Sequence, residues 1–116
     1  MIDPSPGGRQ FGFLLVDKFP MFSLAAAIDI FRSANRLLGK DFYSWKTVSA
    51  DGESEVASNG LPLKVDYAIA DLPPVDILFV CVALTTEFPG KSKVLSALRT
   101  LGRRGAALGA LSVGSH

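Results

Sequence analysis

The chain has 116 residues, enough for one domain, with 48% hydrophobic residues, 20% charged residues and a formal net charge of +1. That balance is globular and lacks the excess of positive charge that marks a nucleic-acid surface. No apolar run approaches the roughly 20 residues that span a bilayer, and residues 1–8 lack an export signal's basic segment and apolar core, so the cytoplasm is expected. The single cysteine, Cys81, excludes an intramolecular disulfide.

Residues 1–9, rich in Pro, Gly and Ser, are expected to be a disordered leader, with the folded region over 10–116. Phe11 to Val16 reads as a strand apolar on both faces, the kind that sits inside a parallel sheet. After Pro20, the residues Leu24, Ala27, Ile28, Phe31, Ala34, Leu37 and Leu38 recur at helical spacing, and Gly39 stands where a C-cap belongs. Tyr43, Trp45, Thr47 and Val48 mark a β-rich stretch from Phe42 to Ser49. Asp51-Gly52 and Asn59-Gly60 are turn signals around short pieces that can pair as a hairpin or extend a sheet edge.

Val75 to Ala83 is a second apolar strand, in which Cys81 reads as a small buried hydrophobe. Ser92 to Arg104 is an amphipathic helix with Val94, Leu95, Leu98 and Leu101 on one face, closed by Gly105. Ala106 to Leu111 is a further strand running into Ser112. The alternation of strands and helices predicts an α/β fold: an open, mostly parallel sheet with helices on both faces. A strand ending at Leu111 needs a following helix to cover it, so the natural protein is expected to continue and this chain to be truncated after that strand.

Ala110-Leu111-Ser112-Val113-Gly114 is a nucleophile-elbow pattern with Ala in place of the first Gly. A serine hydroxyl at such an elbow is inert unless a base takes its proton. The only histidine, His116, lies four residues on, along the expected next helix rather than where a third group would orient it. A base further along the protein stays open. Arg99, Arg103 and Arg104 suit a helix C-terminus and a solvated face, Asp29, Asp66, Asp71 and Asp76 are too scattered for a metal site, and Gly105 to Gly109 lacks phosphate-loop spacing. No cofactor is expected.

Several stretches together carry a resemblance: Phe13-Leu14-Leu15-Val16, Ala27-Ile28-Asp29-Ile30-Phe31-Arg32-Ser33-Ala34-Asn35-Arg36, Ser44-Trp45-Lys46-Thr47-Val48-Ser49, Ala57-Ser58-Asn59-Gly60-Leu61 and residues 105–112. In this order the chain resembles the ThiJ/PfpI-like, glutamine amidotransferase-like sensor domain at the amino end of AraC-type transcription regulators. It is most like the branch that responds to glycine betaine, carnitine or arginine. The resemblance implies a flavodoxin-like fold, a homodimer, and DNA contact through a C-terminal helix-turn-helix part absent from this chain. Enzymes of that superfamily look like a site of elbow cysteine, acidic partner and Gly-rich turn. Here the three positions fall on Ser112, Ser23 and Val82-Ala83.

With thiol, acid and glycine donor all replaced, the resemblance implies a non-catalytic pocket for a small effector. An elbow aims its hydroxyl and the next backbone N–H groups into a crevice at the carboxyl end of the sheet, where a carboxylate fits. Ser112, Val113, Gly114, Ser23 and Ala83 are the expected ligand-binding positions, with Phe22 as a wall. For a quaternary ammonium effector, Phe19, Phe22, Tyr43 and Trp45 are the aromatic faces available, each equally at home in packing. The alternatives are a ThiJ/PfpI-like hydrolase or hydratase using Ser112 as nucleophile, and an interaction or dimerisation module.

Overall fold

A computed structural model describes residues 7–82 and 91–111 of the chain. Strand β1 (Arg9–Leu15) is buried at every residue from Phe11 onward. Continuous apolarity over Phe11 to Leu15 suits a strand covered on both faces, and β1 takes the centre of a five-stranded sheet accordingly. It pairs in parallel with β2 (Tyr43–Ser49) on one side and β6 (Ile77–Cys81) on the other. Beyond β2 lies the two-residue β5 (Tyr67–Ala68), and beyond β6 lies β7 (Ala107–Leu111), both again parallel. Arg9 thus belongs to β1 rather than to a leader; residues 1–6 lie outside the described residues.

Alternation along β1 divides the core. Phe11, Phe13 and Leu15 pack with Leu24, Phe31 and Ile28 of helix α1 (Met21–Leu38), whereas Leu14 and Val16 pack with Val94 and Leu101 of helix α2 (Lys91–Arg103). The sheet therefore has a helix on each face, as the alternating pattern predicts. Gly39 ends α1 in the left-handed region at φ 72°, and its N–H donates to the Arg36 carbonyl, as the C-cap reading requires.

Two short strands, β3 (Glu55–Val56) and β4 (Pro62–Leu63), form an antiparallel hairpin apart from the main sheet. Its turn is the Asn59-Gly60 signal: the Asn59 side-chain oxygen accepts from the Leu61 N–H at 3.0 Å, and Gly60 has φ 87°. The hairpin reading holds and the edge extension does not.

Three expectations need correction. Strand β6 starts at Ile77 rather than Val75; just before it, the Asp76 carboxylate accepts the Gln10 N–H at 2.7 Å while the Asp76 N–H donates to the Gln10 carbonyl at 2.8 Å. Leu95 is 40% exposed, since one helical step of about 100° carries it off the stripe made by Val94, Leu98 and Leu101. Leu37 is 90% exposed, for the same reason: it falls on the outer side of α1, away from Leu24 and Phe31. Among the described residues β7 is an edge strand, with Leu108 exposed. No helix among them is long and apolar enough to cross a membrane.

Candidate functional site

The carboxyl ends of β1, β2, β6 and β7 make the end of the sheet at which open α/β folds place ligands. Register lines these ends up: Leu15 lies opposite Cys81, and Cys81 opposite Leu111. The Val16 N–H donates to the Cys81 carbonyl at 3.2 Å and the Val82 N–H to the Leu111 carbonyl at 3.1 Å, so the ladder continues one step past each strand.

From β1 the chain turns through Asp17, Lys18 and Phe19 into α1. Lys18 is the one described non-glycine residue with positive φ, at 64°. Its N–H donates to the Val56 carbonyl at 2.8 Å, while the Phe19 carbonyl accepts from the Ser58 N–H at 2.9 Å, so the β3–β4 hairpin clamps this connection. Phe19 is fully buried beneath the clamp. Pro20, the N-cap residue, has no side chain able to satisfy the first N–H groups of α1.

Ser23 stands half-buried on the first turn of α1. Phe22 is 81% exposed and sits about 160° around the helix from the buried Leu24. Ala83, Ser112, Val113 and Gly114, together with His116, lie outside the described residues.

Sequence reasoning missed the acidic side of this end. Ser49, at the end of β2, is fully buried; its hydroxyl donates to the Glu53 carbonyl at 2.8 Å and lies 3.4 Å from a carboxylate oxygen of Asp51. The same Asp51 oxygen accepts the Glu53 N–H at 3.0 Å, shaping the loop that leads to Glu55. Partial burial raises the Glu55 carboxyl above its ordinary value, and the negative charges of Asp17 and Asp51 raise it further. Asp17 follows β1 and Asp51 follows β2, so only the parallel pairing of those strands brings the three acids together. The scattered Asp66 and Asp76 have structural work instead: Asp66 accepts the Thr47 N–H at 2.9 Å, much as Asp76 holds Gln10. No group of three His, Cys, Asp or Glu residues able to hold a metal ion occurs among the described residues.

Cys81 also belongs to this end of the sheet, fully buried. Burial without a compensating cation pushes its thiol up to about 12, so it is protonated at neutral pH and lacks the thiolate that nucleophilic chemistry requires. The reading of Cys81 as a packing residue stands.

Two of the four aromatics lie elsewhere. Tyr43 begins β2, opposite Arg9, with its ring stacked 5.8 Å from Phe11. Trp45 lines a cavity of about 430 Å³ with Arg32, Arg36 and Lys40, around the C-terminal part of α1. Neither reaches the carboxyl ends of the strands, and the buried Phe19 presents no free face. A second cavity of about 350 Å³ runs between α2 and the 3-10 turn Ile69–Asp71.

A parallel sheet with β1 at its centre and one helix on each face is a flavodoxin-like fold, and ThiJ/PfpI family proteins share it. The crystal structure of a ThiJ/PfpI family protein from Pseudomonas syringae matches with a TM-score of 0.71 at 15% identity, over 95% of this chain and 48% of that one. The homologues of the chain are AraC-type and other HTH-type transcription regulators. The HTH-type transcriptional regulator GbdR of Pseudomonas aeruginosa is 36% identical over 107 residues, 92% of this chain and 29% of that protein. The crystal structure of an AraC family transcriptional regulator from Pseudomonas putida matches with a TM-score of 0.76 at 30% identity, over 88% of this chain and 55% of that one. The chain therefore spans less than a third of the curated regulator's length. No family model matches it.

Proposed function

We propose that this chain is a non-catalytic, small-molecule sensing region of a cytoplasmic transcription regulator that acts as a homodimer and contacts DNA through a helix-turn-helix part outside these residues. The observation that carries the reading is the similarity to GbdR over 92% of the chain. The site chemistry supports it. The one thiol at the carboxyl end of the sheet is neutral at physiological pH, which supports a binding rather than a thiolate role for this end.

The proposed effector has a carboxylate at one end and a cation at the other, as glycine betaine, carnitine and arginine do. Ser23, Ser112 and the backbone N–H groups of Val113 and Gly114 are the donors proposed for the carboxylate, with Ala83 and Phe22 as the further ligand-binding positions proposed. Asp17, Asp51 and Glu55 supply negative charge for the cationic end, a task that Tyr43 and Trp45 are too distant to perform.

The test is a thermal-shift titration of the regulator with those three compounds, since a ligand that binds only the native state raises Tm by mass action. A saturable rise with one of them, diminished by Ser23→Ala, is expected. Hydrolase or hydratase activity that disappears in Ser112→Ala would overturn the reading in favour of a serine enzyme.

A further inference from the structure

Helix α1 starts at the carboxyl end of β1 and delivers the chain to the first residue of β2, so its last turns lie at the amino ends of the strands, opposite the site described above. The cavity of about 430 Å³ sits here, with Arg32, Arg36, Lys40, Asp41 and Trp45 among its lining residues. That volume falls within the range of roughly 300–1,000 Å³ usual for small-molecule sites.

Positive charge dominates the cavity. Arg32 and Arg36 lie about 6 Å apart along the helix and about 40° apart around it, and Lys40 follows just past Gly39. Arg36 complements the helix dipole in the last turn, whereas Arg32, a turn earlier, repels it. Arg32 offers only its Nε to Asp29, at 3.4 Å, in an exposed pair. Lys40 lies 5.7 Å from the Phe42 ring. Among the described residues no further ion pair involves these three cations, and Asp41 neutralises none of them. The helix end is closed as well: the Gly39 N–H donates to the Arg36 carbonyl and the Lys40 N–H to the Asn35 carbonyl, both at 3.2 Å, so these two oxygens are occupied.

Trp45 supplies an aromatic wall. Phe11, Phe31, Phe42 and Tyr43 all have ring partners, whereas the half-buried Trp45 has none among the described residues, and its indole N–H has no acceptor among them. Tryptophan N–H groups usually find a partner when buried. Asn35 fixes the neighbouring wall, because both ends of its amide are held by Tyr43.

The chemistry of the lining selects a ligand. A carboxylate has two oxygens and is satisfied by one guanidinium fork, whereas three cations at separate positions suit the three terminal oxygens of a phosphate monoester, with its charge of about −1.5 to −2 at neutral pH. A planar ring suits the indole face, and Asp41 requires a ligand that also carries donors. Asp29 and Asp41 bracket the three cations along the chain, so the positive charge does not continue as the stripe that a nucleic-acid strand needs.

We propose that this cavity binds a nucleoside monophosphate, with the phosphate among Arg32, Arg36 and Lys40, the base against Trp45 and a sugar hydroxyl donating to Asp41. The phosphate is held by side chains rather than by a glycine-rich loop. The site is separate from the carboxyl ends of the strands and does not rest on the sensing reading.

Trp45 is the only tryptophan, so the fluorescence of the whole chain reports on this cavity alone. Titration with adenosine 5′-monophosphate should quench it saturably. Adenosine, which lacks the phosphate, and ribose 5-phosphate, which lacks the base and is read by competition, should each bind about tenfold more weakly. Arg36 and Lys40 are exposed, so Arg36→Gln and Lys40→Gln should keep the far-ultraviolet spectrum and urea midpoint of the parent while weakening the nucleotide about tenfold.

Absence of saturable quenching at millimolar nucleotide, adenosine binding as tightly as its monophosphate, or affinity unchanged in both variants would each overturn the proposal. So would an oligodeoxyadenylate that binds more tightly per nucleotide than the free monophosphate, which would make the cavity part of a nucleic-acid surface. Neither the probes nor the variants involve Ser23 or the acidic end of the sheet. A chain that binds the nucleotide here yet responds to no betaine, carnitine or arginine would therefore defeat the sensing reading alone.

Discussion

Asn35, near the end of α1, and Tyr43, the first residue of β2, exchange two hydrogen bonds of 2.8 Å: the Asn35 amide donates to the Tyr43 carbonyl, and the Tyr43 N–H donates to the Asn35 side-chain oxygen. The amide side chain thus takes the place of a neighbouring strand. β5 reaches β2 only at Val48 and Ser49, so among the described residues no strand lies beside Tyr43 on the outer edge of β2. Thr47, further along that edge, is held by Asp66 in a related way, with the Thr47 N–H donating to the carboxylate and the Asp66 N–H to the Thr47 carbonyl. Two side-chain clamps therefore finish an edge that would otherwise offer open backbone groups to another chain.

Asn35→Ala should destabilise the chain by about 2 kcal/mol in urea unfolding, because it strands a donor and an acceptor that Asn35, itself only 7% exposed, shields from water. An unchanged midpoint would mean that water replaces the amide freely.

Gly12 sits in the middle of β1 where a side chain has no room. A Cβ there would lie 2.8 Å from Leu78 Cδ1 and 3.3 Å from Leu72 Cδ2. The Leu78 side chain is fully buried, so it cannot swing aside without disturbing Leu14 and Val48. Gly12→Ala should cost about 1–3 kcal/mol, the usual range for an overpacked core, and chemical denaturation measures it. The residue preserves close packing between the sheet and the face covered by α2.

Much of this architecture is legible in the sequence because it rests on local signals. Phe11 to Leu15 announces a central strand by its unbroken apolarity, Gly39 a helix end, and Asn59-Gly60 a hairpin turn. What escaped depends on pairing over distance. Asp17, Asp51 and Glu55 belong to three separate segments, and their proximity appears only once β1 and β2 lie side by side and the hairpin folds back over residue 18. Helical spacing alone also misassigned Leu37, because a helix apolar on two faces has no unique inner side until the sheet chooses one. The pocket positions Ser112, Val113, Gly114 and Ala83 lie outside the described residues, so that part of the site rests on the elbow pattern and the resemblance.

Glu55 should make stability depend on pH in the direction opposite to a salt-bridged carboxylate. Its folded-state value is raised by burial and by Asp17 and Asp51, so within the interval between the unfolded and folded values the native state holds more proton than the unfolded state. Stability must then fall as pH rises through that interval, from a contribution fully present below the unfolded value. Glu55→Gln removes this contribution. The variant should gain on the parent chain as pH is raised from the acid range to neutrality, read as a growing difference in urea midpoint. A difference that stays constant with pH would show that Glu55 titrates alike in both states.

Cys81 offers a reading of how tightly the carboxyl end of the sheet is sealed. Its thiol is pushed up to about 12 because burial disfavours the thiolate, and no sulfur surface is open to solvent. At pH 8 an alkylating reagent such as iodoacetamide should leave the native chain essentially unmodified and label it rapidly in denaturant, with the native rate limited by opening of the sheet between β1 and β6. Asn35→Ala and Gly12→Ala should speed the native reaction if their destabilisation lowers the free energy of that opening. Rapid labelling of the folded parent chain would place solvent and thiolate at the end of β6, and would restore Cys81 as a candidate for chemistry.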